Sequence, residues 1–271
     1  MTKFKDKTAL ITGGASGIGL IISKILLQKG IKKLIIWDIN PEFQAQLPHV
    51  FGQHSASVLY TVVDVSNTQS VLLEAGKLLQ LGICPDVLIN NAGVIVGKHF
   101  VDHEPEEIAF TMNVNIIGSM QVTRAFLPTM IEKGGAHIIN VSSAAGLVSN
   151  PKMSVYVGSK WAMNGWSDSL RIELEALKKD LHVTTVNPYY ISTGMFEGVE
   201  STVLLPILKP EYVANKIVSA IERNKIRLRM PFLVRFTPLA AGLLPPRWFD
   251  LIVGKWFGVY RSMNHFTGHN K

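Results

Sequence analysis

The sequence predicts an α/β fold, a single domain built on a doubly wound parallel sheet with helices on both faces. Three observations predict it. Short segments that are apolar throughout alternate with longer segments of helical periodicity, as when crossover helices bury strands on both faces. Polar residues stand where the apolar segments stop, at Asp38, Asp64, Asn90, Ser142 and Ser143. A glycine-rich turn joins the first strand to the first helix. Such sheets bind ligands beyond the carboxyl ends of their strands, so the polar strand ends are where a site is expected.

The elements follow in order. Residues 8–12 read as a β run, followed by the glycine-rich turn and a helical pattern through Leu27. Residues 34–37 are apolar and end at Asp38, residues 58–63 end at Asp64, and a helical pattern covers 68–81. Residues 87–89 end at Asn90, a long helical region spans 105–133, and 136–141 is β again. A second long helix covers 154–179, then a strand at 183–186 and a helix at 210–223. No repeat or low-complexity linker divides the chain, and 271 residues suit one α/β domain. Residues 1–225 are expected to form one unit that includes a loop at 189–209, and residues 226–271 an apolar, basic extension.

The composition narrows the function classes. Hydrophobic residues make up 47% and charged residues 17%, with a mean hydropathy of +0.23, which describes a packed protein rather than a disordered one. The single cysteine, Cys84, precludes an intrachain disulfide and points to a reducing, cytoplasmic compartment. The charged start, Met1 to Lys7, is expected to carry no signal or anchor. The net charge of +7 is not interleaved into a nucleic-acid motif, so no nucleic-acid partner is expected. His265 and His269 are four apart, but the spacing lacks a nearby carboxylate in sequence and no metal site is assigned.

Thr12-Gly13-Gly14-Ala15-Ser16-Gly17-Ile18-Gly19 places glycines where backbone must turn sharply and approach a pyrophosphate, ahead of a helix N-terminus that favours anions. Asp38 follows Gly19 by nineteen residues and closes the second strand. A carboxylate there accepts from ribose hydroxyls and repels a 2′-phosphate, which favours NAD over NADP. Asp64, beside Val65, is placed to accept from an adenine amine, and Asn90-Asn91-Ala92-Gly93 closes the fourth strand with small polar residues. Tyr156 and Lys160 are one helical turn apart and share a face. A tyrosine titrates near pH ~10, and an ammonium beside it is expected to favour the phenolate and lower that value. Ser143 precedes Tyr156 by thirteen residues, and Asn115 is an amide within an apolar helix, where a kink or a water chain would explain it.

These residues resemble the short-chain dehydrogenase/reductase superfamily over roughly Lys7 to Arg223. Thr12 to Gly19 is similar to its T-G-x-x-x-G-x-G, Asn90 to Gly93 to its N-N-A-G, and Asn115, Ser143, Tyr156 and Lys160 to its catalytic tetrad in order and spacing. The resemblance implies a Rossmann-type fold and a nicotinamide cofactor. It implies that Tyr156 is the general acid/base, that Lys160 binds the nicotinamide ribose and tunes Tyr156, that Ser143 orients the substrate oxygen, and that Asn115 positions a relay water. Pro188, Ile191 and Thr193 match the family's carboxamide-holding stretch, although the family's Pro-Gly is Pro188-Tyr189 here. The stretch from Asn187 to Phe196, with Trp37 to Asn40 and Lys209 to Ala214, looks like the branch of retinol and hydroxysteroid dehydrogenases of microsomes and lipid droplets. That branch implies NAD and a lipophilic alcohol or its carbonyl; an NADPH-dependent carbonyl or 3-oxoacyl reductase is the alternative within the fold, and an NAD-binding, lipid-associated scaffold without turnover the alternative outside it. Relatives also imply a homodimer or homotetramer joined through the two long helices.

The extension concentrates the apolar and basic excess. Phe232, Phe236, Trp248, Phe249, Trp256 and Phe257 are interspersed with Arg229, Arg235, Arg247 and Lys255. Residues 230–244 are too short, and too interrupted by Arg235, to span a bilayer. A lid over the substrate cleft, a subunit contact and a peripheral membrane contact all fit this composition.

Overall fold

The computed structural model describes residues 1–202 and 205–268. Its centre is a parallel sheet of β1 (Thr8–Thr12), β2 (Lys33–Asp38), β3 (Val58–Val62), β4 (Val87–Asn90), β5 (Ala136–Val141), β6 (Leu181–Pro188) and β7 (Arg227–Met230). Their spatial order is β3-β2-β1-β4-β5-β6-β7. The chain builds outward from β1 to β3, then returns to place β4 on the other side of β1. The crevice for a ligand therefore opens between the carboxyl ends of β1 and β4.

Strand residues alternate between two cores, one on each face. Ala9, Ile11, Leu34, Ile36 and Ile89 pack with α1 (Gly17–Gln28), α2 (Phe43–Phe51) and, on the same face, Val213, Ile217 and Ile221 of a later helix. Leu10, Ile35, Trp37 and Leu88 point the other way. They meet Val71 and Leu78 of α3 (Thr68–Gln80), and residues 122, 126 and 130 and 170 and 174 of two further helices. A run of strand residues apolar on both sides is explained by this double burial.

The long region from 105 is divided. α4 (Pro105–Met112) opens on a capping box in which the Glu104 and Glu107 side chains each accept from the other's backbone N–H. A π-turn at Asn113–Gly118 follows, and α5 (Ser119–Lys133) completes the segment. Asn115 lies within this widened turn and its side chain bonds to the loop after β4, and Gly118 lies so close to β3's exit that an added Cβ would stand 2.6 Å from the Val65 carbonyl oxygen. α6 (Ser154–Ala176) and α7 (Pro210–Glu222) stand near the expected bounds.

Two elements at the sheet have no counterpart in the sequence expectations. α2 contains Pro48, a helix breaker, yet its Phe43, Leu47 and Phe51 form one buried stripe, and Phe43 packs on Tyr60 at 5.3 Å between ring centres. β7 reads R-L-R-M, too polar to be taken for a buried strand, but it is an edge strand paired only with β6, and Leu228 and Met230 alone point inward. Residues 227–230 thus belong to the sheet, although they fall in the stretch read as the extension.

Below the sheet, at the amino ends of the strands, His137 of β5 is buried between Thr2 and Thr184, whose hydroxyls lie 3.0 and 2.7 Å from its two ring nitrogens. Burial, the His182 ring and the N-terminal amine push its pKa down to about 3. The folded protein keeps this imidazole neutral while the unfolded chain takes up a proton near pH ~6.5. Stability is therefore complete above that value and is lost as pH falls toward 3, by as much as about 1.4 kcal/mol per pH unit from this group. His137→Gln should flatten the fall in urea midpoint between pH 7 and pH 5; an unchanged slope refutes the assignment.

Candidate active site

The crevice is built from strand ends. After β1 the chain turns at Gly13, whose φ of 64° lies in the left-handed region, and the Gly13 N–H donates to the Trp37 carbonyl at 2.8 Å. Gly19 faces inward beneath this turn, where any Cβ would collide with the Gly13 carbonyl oxygen and stand 2.7 Å from Asn91 Nδ2. The Asn91 amide donates to the Thr12 and Gly13 carbonyls at 3.0 and 2.9 Å, while the Thr12 hydroxyl accepts from the Asn91 and Ala92 N–H groups. These bonds tie the ends of β1 and β4 together. Asp38 Oδ2 accepts from the Ala15 N–H at 2.9 Å, so the second strand's carboxylate is fixed against the glycine turn.

The resulting cleft, about 400 Å³, is lined by Gly13, Ser16, Gly17, Ile18, Asp38, Asp64, Val65, Asn91, Ala92, Gly93, Pro188, Ile191 and Thr193, with Ser143, Tyr156 and Lys160 at its inner end. Of the residues expected to carry catalysis or hold the cofactor, Gly19 and Asn115 do not line it: Gly19 supports the turn, and Asn115 is buried behind the wall. The cleft also takes Phe110 and Val94, which carry no motif, and Trp37, Tyr189 and Phe196, to which the sequence assigns no site role. The cradle fits a dinucleotide. Ser16, at the N-cap of α1, makes no side-chain capping bond, and the first turn holds no acidic residue, so no side chain of the helix itself occupies its first N–H groups.

At the inner end, Ser143 begins a 3-10 turn, and its hydroxyl accepts from the Ala145 N–H at 3.1 Å. Its carbonyl accepts from the Asn187 amide, which also donates to Asn164 Oδ1, each at 2.9 Å. Asn164 in turn donates to the Gly146 carbonyl at 2.8 Å. Asn187 and Asn164 therefore hold the serine turn against β6 and α6; their only sequence signal is a polar residue at a strand end and one turn beyond Lys160. The Asn115 side chain accepts from the Val94 N–H at 2.7 Å and donates to the Val94 carbonyl and the Ser159 hydroxyl at 2.9 and 3.0 Å. Both amide hydrogens are committed, so the side chain clamps the loop after β4. A Cβ added to Gly93 would stand 3.4 Å from Asn115 Oδ1 and 3.6 Å from Lys160 Nζ, which shows how closely these groups converge.

Tyr156 and Lys160 do share a buried face of α6. Lys160 Nζ lies 5.6 Å from the centre of the Tyr156 ring and donates to the Val141 carbonyl at 3.0 Å. The electrostatic sign differs from the sequence expectation. Burial pushes the Tyr156 phenol up, the Ser143 hydroxyl partly opposes this by hydrogen bonding, and Tyr190 adds to it. Burial also pushes Lys160 down to about 8, so it gives up its proton more readily than an exposed lysine. The protein alone thus holds a neutral phenol.

The sequence profile of the short chain dehydrogenase family matches residues 7–203. The chain belongs to that family. Epidermal retinol dehydrogenase 2 of Mus musculus is 32% identical over 266 residues, covering 97% of this chain and 85% of the relative. Short-chain dehydrogenase/reductase family 16C member 6 of Bos taurus is 36% identical over 245 residues, covering 88% and 76%. Among solved structures, a short chain dehydrogenase/reductase from Burkholderia phymatum in complex with NAD is similar with a TM-score of 0.78 at 25% identity, covering 94% of this chain and 97% of that one. The protein is accordingly an NAD(P)-dependent oxidoreductase of alcohols and carbonyls on a Rossmann-type fold.

Beside the cleft lies a second space, about 290 Å³ and almost wholly apolar. It begins at Ser143 and is walled by Ala144, Val148, Met153 and Tyr190 from the body of the domain. The rest of its wall comes from beyond β7: Val234, Phe236, Ala240, Leu244, Val253 and Phe257. Among these, α8 (Thr237–Leu243) and the π-turn at Asp250–Trp256 form the outer side. The Cys84 thiol is buried away from both spaces, and burial pushes it up to about 11. Glu200 Oε1 lies 3.2 Å from His265 Nε2, a carboxylate neighbour the linear sequence does not reveal; His269 lies outside the described residues, and among those described no three metal-binding side chains come together.

Proposed function

We propose that the protein interconverts a lipophilic alcohol, of retinoid, steroid or long-chain type, and its aldehyde or ketone with NAD as the preferred coenzyme. The observation that carries this reading is the apolar chamber opening on Ser143 at the inner end of the dinucleotide cleft. Gly13, Ser16, Gly17 and Ile18 would cradle the pyrophosphate, Asp38 the adenosine ribose, Asp64 and Val65 the adenine. Asn91 to Gly93, Lys160, Pro188, Ile191 and Thr193 would hold the nicotinamide half. Bound there, the nicotinamide supplies hydride transfer at the carbinol carbon.

The protein's own part is alignment and proton movement. Ser143 donates a hydrogen bond to the substrate oxygen. In reduction the Tyr156 hydroxyl gives its proton to that oxygen; in oxidation the phenolate takes the proton back. Lys160 holds the ribose and stabilises the phenolate, and Asn115 fixes the backbone through which a relay water is held. Apolar walls exclude bulk water and accept the hydrocarbon body. The test is nicotinamide absorbance followed across retinols, steroids and fatty alcohols with NAD⁺ and NADP⁺. Turnover of short polar alcohols alone overturns the reading.

We assign residues beyond β7 a lid role, with peripheral membrane contact through the same segment. Phe236, Leu239, Leu243, Trp248 and Trp256 are exposed on it beside Arg235, Arg247 and Lys255, an interfacial composition, and among the described residues no helix is long and apolar enough to cross a membrane. The full chain should float with anionic liposomes and the Phe236→Ser, Leu239→Ser, Leu243→Ser triple variant should not; equal flotation removes the membrane role. Exposed Phe110, Trp161 and Ile172 on α4 and α6 support a homodimer or homotetramer through these helices.

A further inference from the structure

Three residues, Ser143, Tyr189 and Phe196, line both the dinucleotide cleft and the apolar chamber. They are the junction a substrate must occupy for its reacting carbon to reach Tyr156 while its body lies in the chamber. Ser143 is small. The passage is therefore shaped by two aromatic side chains.

Both are held firmly. The Tyr189 N–H donates to the Met230 carbonyl at 2.9 Å, which pins its backbone to the edge of the sheet. Its ring packs edge-on against Tyr190 at 4.6 Å between centres. Phe196 packs on Tyr190 at 5.0 Å and on Tyr156 at 6.1 Å. Tyr190 is fixed in turn, since its hydroxyl accepts from the Asn150 amide at 3.1 Å and shares a 2.9 Å hydrogen bond with Ser262. Through this knot the end of β6 is tied to the segment beyond β7. The Tyr189 ring is also where three apolar clusters meet, so it has little freedom to swing aside.

We propose that Tyr189, with Phe196, forms an aromatic neck that admits slender primary alcohols or aldehydes and excludes secondary alcohols set in fused rings. The inference rests on the alcohol-oxidoreductase reading and narrows its substrate class. The reacting carbon of a primary alcohol terminates a chain, and a chain passes between two ring edges. A ring-borne carbinol brings two further carbons of a rigid frame to the same point, where they meet Tyr189. The selection is by shape. The Tyr189 hydroxyl makes no hydrogen bond among the described residues, so removing it costs no contact within the protein.

The test uses the full chain without coenzyme, by displacement of an apolar fluorescent dye with 1-hexadecanol and with a 3-hydroxysteroid. Wild-type protein should favour hexadecanol. Tyr189→Ala should shift the affinity ratio toward the steroid by at least tenfold, Phe196→Ala should shift it the same way, and Tyr189→Phe should retain the wild-type ratio. A ratio unmoved in both alanine variants, a phenylalanine variant that shifts as far as alanine, or wild-type protein that prefers the steroid or binds neither overturns the proposal. Steady-state turnover of the same two alcohols separates the two readings. A shifted binding ratio without turnover by the wild type sinks the oxidoreductase assignment and leaves the neck standing; turnover with an unmoved ratio does the reverse.

Discussion

Tyr156→Phe should lower kcat by about 10³-fold or more while leaving the dissociation constant for NADH within about twofold of wild type. The variant keeps the ring that packs on Phe196 and removes only the hydroxyl to which the proposed function assigns proton exchange with the substrate. General acid–base catalysis by one positioned group contributes roughly 10²–10⁴-fold; of the two polar side chains that share the inner end with Tyr156, Ser143 is a poor acid and Lys160 donates to the Val141 carbonyl. The pH dependence carries a sign. Burial holds the Tyr156 phenol above its ordinary value, so the protonated form persists through neutral pH. Carbonyl reduction, which needs that proton, should hold its rate across neutral pH. Alcohol oxidation, which needs the phenolate, should rise with pH on the alkaline side, and the rise should vanish in the variant. Stopped-flow rates in both directions from pH 6 to pH 10 measure this. A Tyr156→Phe enzyme with wild-type rates removes the acid/base role.

The parts of this site that are legible in the sequence are those whose geometry is local. Gly13 to Gly19 spans a single turn, so glycine spacing alone describes it. Tyr156 and Lys160 are related by one turn of one helix, and Asp38 by its place at a strand end. What was not legible depends on contacts between distant segments. Tyr189 becomes a wall only because Phe196 and Tyr190 fold back on it and Asn150 and Ser262 fix Tyr190. The sign of the Tyr156 shift depends on how much water the surrounding elements exclude, which the four-residue spacing to Lys160 does not encode. Asn115 shows both sides: an amide in an apolar helix announces a constraint, and the π-turn with its Val94 clamp explains it, but the partner lies twenty-one residues away. β7 escaped because an edge strand needs only two inward residues, and Arg227 and Arg229 disguise them. The membership of residues 227–230 in the sheet also places the chamber's outer wall directly after the last strand, so that residues beyond β7 line the same space as Ser143.

Asp38 should decide the coenzyme, and by the second-largest margin. Its carboxylate cannot turn away from the cleft without losing the Ala15 N–H, and Oδ1 is engaged by the Asn40 N–H at 3.2 Å. Lys160 is the one cation among the residues that line the cleft, and it stands by Gly93 and Asn115 at the inner end, so it cannot neutralise a phosphate on the adenosine ribose. Two unit charges about 4 Å apart repel by about 4 kcal/mol at the effective dielectric of a protein surface. Asp38 is half-buried, and water and salt screen a good part of that; about 2 kcal/mol, or roughly thirtyfold, is a conservative remainder. Wild-type kcat/KM should therefore favour NAD⁺ over NADP⁺. Asp38→Ser should erase most of the preference by relieving NADP⁺ rather than by harming NAD⁺ severely. Adding Ile39→Arg should go further, because Ile39 lines the cleft beside Asp38 and is 69% exposed, so a guanidinium there meets the phosphate without displacing core packing. The double variant should prefer NADP⁺, a total change of about 10³-fold in the ratio. If wild-type protein already uses NADP⁺ better, or if removing the carboxylate leaves the ratio where it was, the adenosine ribose does not rest on Asp38.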